Sequence, residues 1–573
     1  MTTARTGDVS LACMQVVVDR FAAHGMRHAC LSPGSRSTPI ALALDRHPDI
    51  AVHVHLDERA SAFFALGIAR ITASPVAVVC TSGTAAAELL PATVEAAMSH
   101  APLLLLTADR PPAFRATGAN QTIDQRAIYG RHVKASVEAP LPTEGPNVAA
   151  YWVSLAIDVL RLAAVPPGGP VHVDLPFSEP LTPSGASAFI GTPPGREAVV
   201  GLEAAGSESP DVADLANFLR GVDRGIVLAG GFDTGEAPEI ATAAEALGWP
   251  LLAEPLSQLR RPGTALSAGQ ALLGDPAFID GHVPEIVLQF GRAPTTRSGQ
   301  AVVASCERLV VIQSPGTPAD PLRRADPALV GDADAIASEL VERARAGPRP
   351  RAEWLGTWRR ADAVARRAID EHLDRWEEPF EGRIARDLAA TIPSSGTLVV
   401  GSSMPVRDLD VFMHPREHLR VLGNRGASGI DGVVSTALGV AAAAGPTHAL
   451  IGDLSLLHDA GSLLWSGRRD LDLVVVVPNN DGGIIFSLLD QRTLPEHERL
   501  FTTPHGLSLG ALSATAGVGH ERIERASELV LAVEAARAAG GVRIVEAPID
   551  RDLNLHRRAE IHEAITAALA SIR

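Results

Sequence analysis

The sequence predicts an α/β protein built from three doubly wound parallel-sheet domains. Short apolar runs bounded by Gly, Pro or Asp recur along all 573 residues and are continuous, not alternating. Such runs are typical of strands covered by helices on both faces. Ala-rich stretches of helical period separate them, as at 84–100, so strands and helices alternate. At about 150 residues per domain, this length corresponds to three or four domains.

The predicted strands follow one another along the chain, each as a run of apolar residues. In order they lie within 75–84, 102–112, 225–231, 285–291, 397–403, 447–453 and 473–480. A further strand leads into an amphipathic helix at 53–70.

Two segments interrupt the alternation and predict linkers between domains. The segment 177–198 is rich in Pro, Gly and Ser without a hydrophobic period, and 343–354 combines Gly, Pro and Arg. The predicted domains are therefore 1–180, 200–345 and 365–573. The stretch from Trp354 to Trp376, dense in Arg and Glu, predicts a solvated helix that joins domains.

Charge and composition argue against several classes of partner. Fifty Lys and Arg against 66 Asp and Glu give a net charge of −16, which repels nucleic acid and anionic lipid. No segment offers about 20 unbroken apolar residues, so neither a membrane span nor a secretory signal is expected. The four cysteines lie far apart without a C-x-x-C pair, which argues against a zinc, dithiol or disulfide framework and fits the cytoplasm.

Two polar loops end consecutive strands of the last third. Gly452-Asp453 closes one predicted strand, and Asn480 follows Asp453 by 27 residues at the end of the next. One strand–helix–strand unit brings both side chains to neighbouring carboxyl ends, where doubly wound sheets bind ligands. Taken alone, each is also an ordinary helix start or loop.

The residue types of these loops suit a hard cation that is shared with a diphosphate. The Asp453 carboxylate, the Asn480 carboxamide oxygen and the Gly482 carbonyl are oxygen ligands of the kind that Mg²⁺ prefers. The helix opening at Gly452-Asp453-Leu454-Ser455 would direct amide groups at the diphosphate.

This arrangement resembles the cofactor signature of thiamine-diphosphate-dependent enzymes, a Gly-Asp-Gly element followed one strand–helix–strand unit later by Asn-Asn. Leu454 stands where the signature has its second glycine. The resemblance implies the three-domain fold of that enzyme type, with thiamine diphosphate and Mg²⁺, or Mn²⁺, as cofactors. The first domain would be pyrimidine-binding, and the third would bind diphosphate and metal.

Glu58 lies at the predicted junction between the strand and the helix of 53–70. In the resemblance it matches the catalytic glutamate that activates the cofactor from the pyrimidine-binding domain of one subunit, facing the diphosphate domain of another. A homodimer or homotetramer with active sites at the subunit interface is therefore expected. The alternative is a helix N-terminal carboxylate favoured by the macrodipole, with Asp57 as the cap.

Eight segments are similar to one family of these enzymes, the 2-succinyl-5-enolpyruvyl-6-hydroxy-3-cyclohexene-1-carboxylate synthases of menaquinone biosynthesis. They are SPGSRSTPIALAL (32–44), HLDERASAFFALGIAR (55–70), TSGTAAAELLPA (81–92), TADRPP (107–112), GANQTIDQ (118–125), SSMPVRDLD (402–410), GNRGASGIDG (423–432) and NNDGGIIFSLL (479–489). The resemblance runs from about residue 10 to the C-terminus and is weakest through 200–345. It implies a transferase, a decarboxylating carboligase that adds the succinic semialdehyde unit of 2-oxoglutarate to isochorismate in a 1,4-addition.

Arginines in the matched loops suit two dicarboxylate substrates, because a planar guanidinium binds carboxylate through two parallel hydrogen bonds. The candidates are Arg36, Arg110, Arg407 and Arg425, with Arg297 placed only by its position after a strand of the middle domain. Surface salt bridging is the alternative for any one of them.

Further candidates are neutral or apolar. Ser35, Gln121 and Ser403 would hydrogen-bond substrate, or else satisfy loop backbone. The resemblance places Ile485 and Phe486 as an apolar wall beside the thiazolium ring and Ile430 as a wedge under the bent cofactor. Core packing is the alternative for all three.

Three other functions stay open at this point. An acetolactate-synthase type of carboligase would use small substrates, against which the arginines count. A nucleotide-binding dehydrogenase is suggested by AGGFDTG at 229–235, which lacks a full G-x-G-x-x-G. A non-catalytic subunit is the third, and the presence of Glu58, Asp453 and Asn480 together argues against it.

Overall fold

The computed structural model describes residues 5–193, 212–219, 221–232, 237–346, 352–467 and 470–572. These residues divide into two compact units: one holds Met1–Ala205, Asn424–Gly445 and His458–Arg469, and the other holds Gly206–Gly423, Pro446–Leu457 and Asp470–Arg573. Residues 194–198 and 347–351 of the predicted linkers, and 233–235 of the AGGFDTG segment, lie outside the described residues.

The first sheet belongs to the first unit and has six parallel strands in the order β2-β1-β3-β4-β6-β5. Its strands are β1 (His28–Leu31), β2 (Ala51–Val54), β3 (Val76–Cys80), β4 (Leu103–Asp109), β5 (Ser136–Glu138) and β6 (Val171–Pro176). The helices of this part of the chain are α1 (Thr6–Ala23), α2 (Thr38–Asp45), α3 (Glu58–Thr72), α4 (Thr84–Glu88), α5 (Leu90–Met98) and α6 (Val148–Ala164).

The second sheet has five parallel strands in the order β11-β10-β9-β7-β8. They are β7 (Gly225–Ala229), β8 (Leu251–Ala253), β9 (Ile286–Phe290), β10 (Arg308–Gln313) and β11 (Ala325–Val330). The accompanying helices are α7 (Val212–Leu219), α8 (Glu239–Leu247), α9 (Gly269–Leu273), α10 (Pro276–Gly281), α11 (Arg297–Ser305) and α12 (Ala333–Arg345).

The third sheet has six parallel strands in the order β13-β12-β14-β15-β17-β16. They are β12 (Thr397–Val400), β13 (Arg420–Leu422), β14 (Thr447–Leu450), β15 (Leu473–Asn479), β16 (Gly519–Arg522) and β17 (Val542–Pro548). The helices of this part of the chain are α13 (Ala352–Arg375), α14 (Glu381–Thr391), α15 (Met404–Phe412), α16 (Val433–Ala444), α17 (Asp453–His458), α18 (Ala460–Ser466), α19 (Leu509–Ala516), α20 (Leu529–Ala539) and α21 (Arg551–Ala570).

The predicted fold class is confirmed: the chain holds three parallel sheets flanked by helices. Every segment predicted as a strand contains one. The first and third sheets also share one strand order when each is numbered from its own first strand, a structural repeat that the sequence does not display. No helix among the described residues is long and apolar enough to cross a membrane.

Two local predictions are corrected. The Ala-rich stretch at 84–100 forms two helices, α4 and α5, that meet at Leu89, two residues before Pro91. The helix predicted from Trp354 to Trp376 is present as α13, but it is not simply solvated. Trp358 and Leu373 are fully buried in the core of the second unit, because the apolar residues of α13 recur every three or four positions and line one face.

Helices α3 and α16 approach so closely in the first unit that only glycine fits at two crossing points. A Cβ added at Gly67 of α3 would lie 2.2 Å from the Thr436 carbonyl oxygen, and one at Gly439 of α16 would lie 2.0 Å from the Phe64 carbonyl oxygen. This contact holds α3, the helix that begins with Glu58, at a fixed position within the unit.

Gly67→Ala is expected to lower the thermal unfolding midpoint. Overpacking costs about 1–3 kcal/mol, which outweighs the roughly 1 kcal/mol that alanine gains over glycine in a helix. The matched control is Gly281→Ala at the end of α10, where nothing lies within 4 Å of the added Cβ. An equal or higher midpoint for Gly67→Ala would contradict the close crossing.

Candidate active site

Asp453 and Asn480 lie at the carboxyl ends of neighbouring strands. Strands β14 and β15 pair in parallel with Leu450 opposite Val476, so the loops that follow them leave the same edge of the third sheet. Asp453 is the first residue of α17 and is only 2 % exposed. Its carboxylate accepts hydrogen bonds from the Gly482 amide at 2.9 Å and from the Leu454 amide at 2.7 Å.

Burial raises the pKa of Asp453, and these amide hydrogen bonds oppose the shift. A nearby cation would oppose it further. Two of the three predicted metal ligands, Asp453 and Gly482, are thus in direct contact, because the Gly482 amide donates a hydrogen bond to the Asp453 carboxylate.

The Asn480 side chain is buried and only half satisfied. Its Nδ2 donates to Glu381 Oε1 at 2.8 Å, while its Oδ1 is buried without a hydrogen-bond partner among the described residues. An orphaned carboxamide oxygen beside a buried carboxylate is what a divalent cation would satisfy. The residues present therefore fit a metal site of oxygen ligands.

The backbone conformation and the close surroundings of position 482 require glycine. Its φ is +145°, and an added Cβ would lie 2.3 Å from the Thr502 carbonyl oxygen. The carbonyl of Gly482 accepts from the Ile484 amide at 3.2 Å and keeps a second lone pair.

His505 is a further residue in contact with Asp453. The sequence did not predict it as part of the site. Its Nε2 lies 3.4 Å from Asp453 Oδ2, and its Nδ1 accepts from the Leu507 amide at 2.9 Å. No motif surrounds His505 in the sequence, so only the fold indicates its position.

Five further residues predicted to contact the cofactor lie in or just after the loops that follow β14 and β15: Gly452, Leu454, Ser455, Ile485 and Phe486. Leu454 is half-buried and Ser455 is buried in the first turn of α17, and the Leu454 amide is taken by Asp453. No atom lies within 4 Å of a Cβ added at Gly452. Ile485 and Phe486 are half-buried in the 3₁₀ helix Ile484–Leu488.

Arg407 and Arg297 lie close together in the second unit. Burial lowers the pKa of Arg407, the charge of Arg297 lowers it further, and Asp408 and Glu254 oppose both. Arg407 donates to the carbonyl of Ser403 at 2.6 Å, and Ser403 precedes α15 with φ at +70°. Arg297 is exposed at the start of α11. The structure thus brings the weakest arginine candidate beside a stronger one.

Arg36 and Arg110 form a second arginine pair, in the first unit. Burial lowers the pKa of Arg110, and the charge of Arg36 lowers it further. Arg36 donates to the Phe177 carbonyl at 3.0 Å and to Glu179 at 2.9 Å. Arg110 donates to Ser82 and, at 3.3 Å, to the Gln121 carbonyl. Ser35, next to Arg36, is exposed.

Gln121 is held through both its side chain and its carbonyl, which accepts from Arg110 at 3.3 Å. Its Nε2 donates to the Ser82 carbonyl at 2.8 Å. The segment around it is fixed by Gln125, which is fully buried and donates to Asp174 at 2.7 Å. Gln125 is the last residue of the segment GANQTIDQ, and no pattern in the sequence marks it as an anchor.

Arg115 anchors the same segment to the sheet. It bonds Asp109 at 3.2 Å, Asp174 at 3.3 Å and Glu138 at 2.6 Å. Burial and the charge of Asp109 raise the pKa of Asp174, while Gln125 and Arg115 oppose the shift. This network keeps the loop that carries Arg110 and Gln121 against the carboxyl edge of the first sheet.

Arg425 and Ile430 lie in a loop of the first unit that Glu95 holds. The buried Glu95 carboxylate accepts from the Gly426 amide at 2.8 Å and from the Ala427 amide at 2.6 Å. Arg425 is half-buried, and Ile430 is 38 % exposed. Core packing therefore does not account for Ile430.

Glu58 begins α3, and Asp57 caps that helix by accepting from the Ala60 amide at 3.1 Å. No side chain among the described residues hydrogen-bonds or ion-pairs with the Glu58 carboxylate. Burial raises its pKa, and the charges of Asp57 and Glu88 add to the shift. The net shift is upward although the carboxylate lies at a helix N-terminus, which would favour its ionised form. Stabilising the helix is therefore an insufficient account of Glu58.

Comparison with known families agrees with this architecture. The description "Thiamine pyrophosphate enzyme, N-terminal TPP binding domain" matches residues 12–128, "Middle domain of thiamine pyrophosphate" matches 202–400, and "Thiamine pyrophosphate enzyme, C-terminal TPP binding domain" matches 404–547. Fold and site thus define a thiamine-diphosphate-dependent enzyme.

Curated relatives show which family of thiamine-diphosphate-dependent enzymes the chain belongs to. Proteins named 2-succinyl-5-enolpyruvyl-6-hydroxy-3-cyclohexene-1-carboxylate synthase share 42% identity in Thermobifida fusca (98% of this chain, 99% of the relative), 40% in Chloroflexus aurantiacus (97% and 96%) and 39% in Geobacillus kaustophilus (94% and 96%). The chain belongs to the family of these synthases.

Glu58→Gln is expected to raise the thermal midpoint near neutral pH. The folded state holds the Glu58 proton more tightly than the unfolded state, whose pKa is near the ordinary 4.5. Ionised Glu58 therefore destabilises the fold as pH rises above that value, and glutamine removes this penalty. The gain should shrink as pH falls and vanish below 4.5. Midpoints of both proteins measured from about pH 4 to 8 test this, and a difference that stays constant over the whole range would contradict it.

Proposed function

We propose that this chain is a thiamine-diphosphate-dependent carboligase of menaquinone biosynthesis. It decarboxylates 2-oxoglutarate and adds the succinic semialdehyde unit to isochorismate, giving 2-succinyl-5-enolpyruvyl-6-hydroxy-3-cyclohexene-1-carboxylate and CO₂. The observation that carries the proposal is the pair of strand-end loops in which Asp453, Gly482 and the orphaned oxygen of Asn480 come together. The printed name of the relatives supports the choice of substrates.

The metal ligands are Asp453, Asn480 through Oδ1, and the carbonyl of Gly482. Mg²⁺ suits these hard oxygens, and Mn²⁺ is the alternative ion. The open space beside Gly452 leaves room for the diphosphate. Leu454, Ser455, Ile485, Phe486 and Ile430 form the remaining cofactor contacts.

Glu58 holds and returns a proton at the pyrimidine ring of the cofactor. When bound, thiamine diphosphate supplies the electron sink that lets a 2-oxo acid lose CO₂. The raised pKa of Glu58 favours proton exchange with the cofactor over permanent ionisation.

The arginines bind the substrate carboxylates. Arg36 with Arg110 and Arg297 with Arg407 are like-charged pairs, which an anion relieves. Arg425 is a further carboxylate ligand, and Ser35, Gln121 and Ser403 donate neutral hydrogen bonds. Fixing both substrates in this way contributes through proximity, which accounts for about 7–11 kcal/mol in the best cases.

The domain and assembly assignments belong to the same proposal. Residues 1–180 form the pyrimidine-binding domain, 200–345 the central domain and 365–573 the diphosphate and metal domain. The protein is a cytoplasmic homodimer or homotetramer with its active sites at the subunit interface, as the family implies.

Size-exclusion chromatography with light scattering tests the assembly, and an active monomer would contradict it.

A coupled assay tests the function. Purified protein is mixed with thiamine diphosphate, Mg²⁺, 2-oxoglutarate and isochorismate, and the loss of isochorismate absorbance is followed as each component is omitted or the metal is chelated. Loss that requires all four components is expected. Turnover with pyruvate as both donor and acceptor would instead favour an acetolactate-synthase type of enzyme.

Glu58→Gln is expected to lower kcat by at least about 10²-fold, because positioned proton transfer contributes 10² to 10⁴ in rate. Cofactor binding, measured by calorimetry, should change much less. Wild-type-like turnover in this variant would remove Glu58 from the catalytic role.

Arg407→Lys is expected to raise KM for one dicarboxylate about tenfold, because lysine cannot make the paired hydrogen bonds of a guanidinium. The matched control is Arg126→Lys, an exposed arginine that pairs with Asp124 and should leave KM unchanged. Equal effects of the two variants would indicate a general charge effect.

A further inference from the structure

The orientation of the Asn480 carboxamide decides whether an oxygen or an amino group faces the metal site. The two ends of a carboxamide have nearly the same shape, so packing alone does not distinguish them. A cation accepts the oxygen and is repelled by the amino group. Something beside Asn480 must therefore select the orientation.

Glu381, the first residue of α14, is in the position to make this selection. Its Oε1 accepts from Asn480 Nδ2 at 2.8 Å, and the carboxylate is 4 % exposed. A carboxylate oxygen accepts hydrogen bonds, and the other oxygen of Glu381 already accepts from Arg558 and Asn554. The end of Asn480 that faces it must then be the amino group, which leaves Oδ1 on the other side.

The surroundings of Glu381 fix its carboxylate in place. Its Oε2 accepts from Arg558 at 2.5 Å and from Asn554 Nδ2 at 2.9 Å. Arg558 also binds both oxygens of Asp408, at 2.6 and 3.0 Å. One half-buried arginine thus binds two buried carboxylates, one beside Asn480 and one next to Arg407 in α15.

We propose that Glu381 is a positioning residue for the metal site, and that it sets the Asn480 carboxamide with its oxygen toward the cation. This inference rests on the metal site of the proposed function and extends it to residues that the sequence does not connect, since Glu381 and Asn480 are 99 positions apart.

Glu381→Gln is expected to reverse the orientation of the Asn480 carboxamide without changing the size of the side chain at 381. The glutamine oxygen must accept the hydrogen bonds from Arg558 and Asn554, so the glutamine amino group faces Asn480. Asn480 then turns its own oxygen toward that amino group and presents an amino group to the cation. Adding Asn480→Asp restores the arrangement, because an aspartate accepts from the glutamine through one oxygen and offers the other to the cation.

The test is a Mg²⁺ titration of the full-length protein with saturating thiamine diphosphate, followed by tryptophan fluorescence and by calorimetry. Glu381→Gln is expected to weaken Mg²⁺ binding about 10- to 100-fold, the usual effect of losing a partner behind a metal ligand. The double variant Glu381→Gln/Asn480→Asp should recover at least wild-type affinity. The thermal midpoint without metal reports folding for each variant.

Glu378→Gln is the matched control. Glu378 lies three residues before Glu381 and pairs with Arg557, the neighbour of Arg558, but it does not contact Asn480. Its Mg²⁺ affinity should equal that of wild type.

Three results would overturn the inference: unchanged affinity in Glu381→Gln, an equal loss in Glu378→Gln, or a loss that the double variant does not recover. A wild-type protein without Mg²⁺-dependent cofactor binding would instead overturn the proposed function. If Glu381→Gln does not fold, the double variant, which returns a carboxylate to the cluster, still overturns the inference when its affinity stays below that of wild type.

Discussion

The candidate metal site depends on how one buried carboxylate is satisfied. Asp453 is almost fully buried and has the Gly482 amide within 2.9 Å. A buried carboxylate without partners is costly, so the loop after β15 stays where its amide reaches Asp453. That one hydrogen bond places the Gly482 carbonyl and keeps Asn480, two residues earlier, at the same edge of the sheet. The glycine is required because the Thr502 carbonyl leaves no room for a side chain.

A second feature of the protein is positive charge concentrated at two places by pairs of arginines. The protein carries a net charge of −16, yet its candidate substrates are dianions. Cations are concentrated locally in two like-charged arginine pairs, and in each pair the charge of one arginine lowers the pKa of the other. Carboxylates close by, Glu179 and Glu254, compensate each pair only in part. The remaining positive charge is available to an anionic ligand, which is how an acidic protein can bind acidic substrates.

The first and third sheets repeat one strand order but place different chemistry at their carboxyl edges. In the first, Glu58 follows β2, Ser82 follows β3 and Arg110 follows β4. In the third, Ser403 follows β12, Asp453 follows β14 and Asn480 follows β15. Because all strands within a sheet are parallel, each loop reaches the same edge. The repeated topology thus supplies two separate sets of polar residues at strand ends, one in the first sheet and one in the third.

The sequence by itself determined the α/β class, most strands with continuous apolar runs and the strand-end residues Glu58, Asp453 and Asn480, because these depend on local periodicity and short spacings. Strand β10 was missed although it has such a run, and the other missed strands have shorter or interrupted runs. His172 and Asp174 interrupt β6, where the fold satisfies them through Thr107 and Gln125, and the edge strands β5 and β11 alternate toward solvent. Only the tertiary structure decided that Arg297 lies beside Arg407, that Arg115 anchors the Gln121 loop and that Glu381 faces Asn480. These contacts join residues far apart in the chain, and their energies depend on burial and distance, which a linear pattern does not contain.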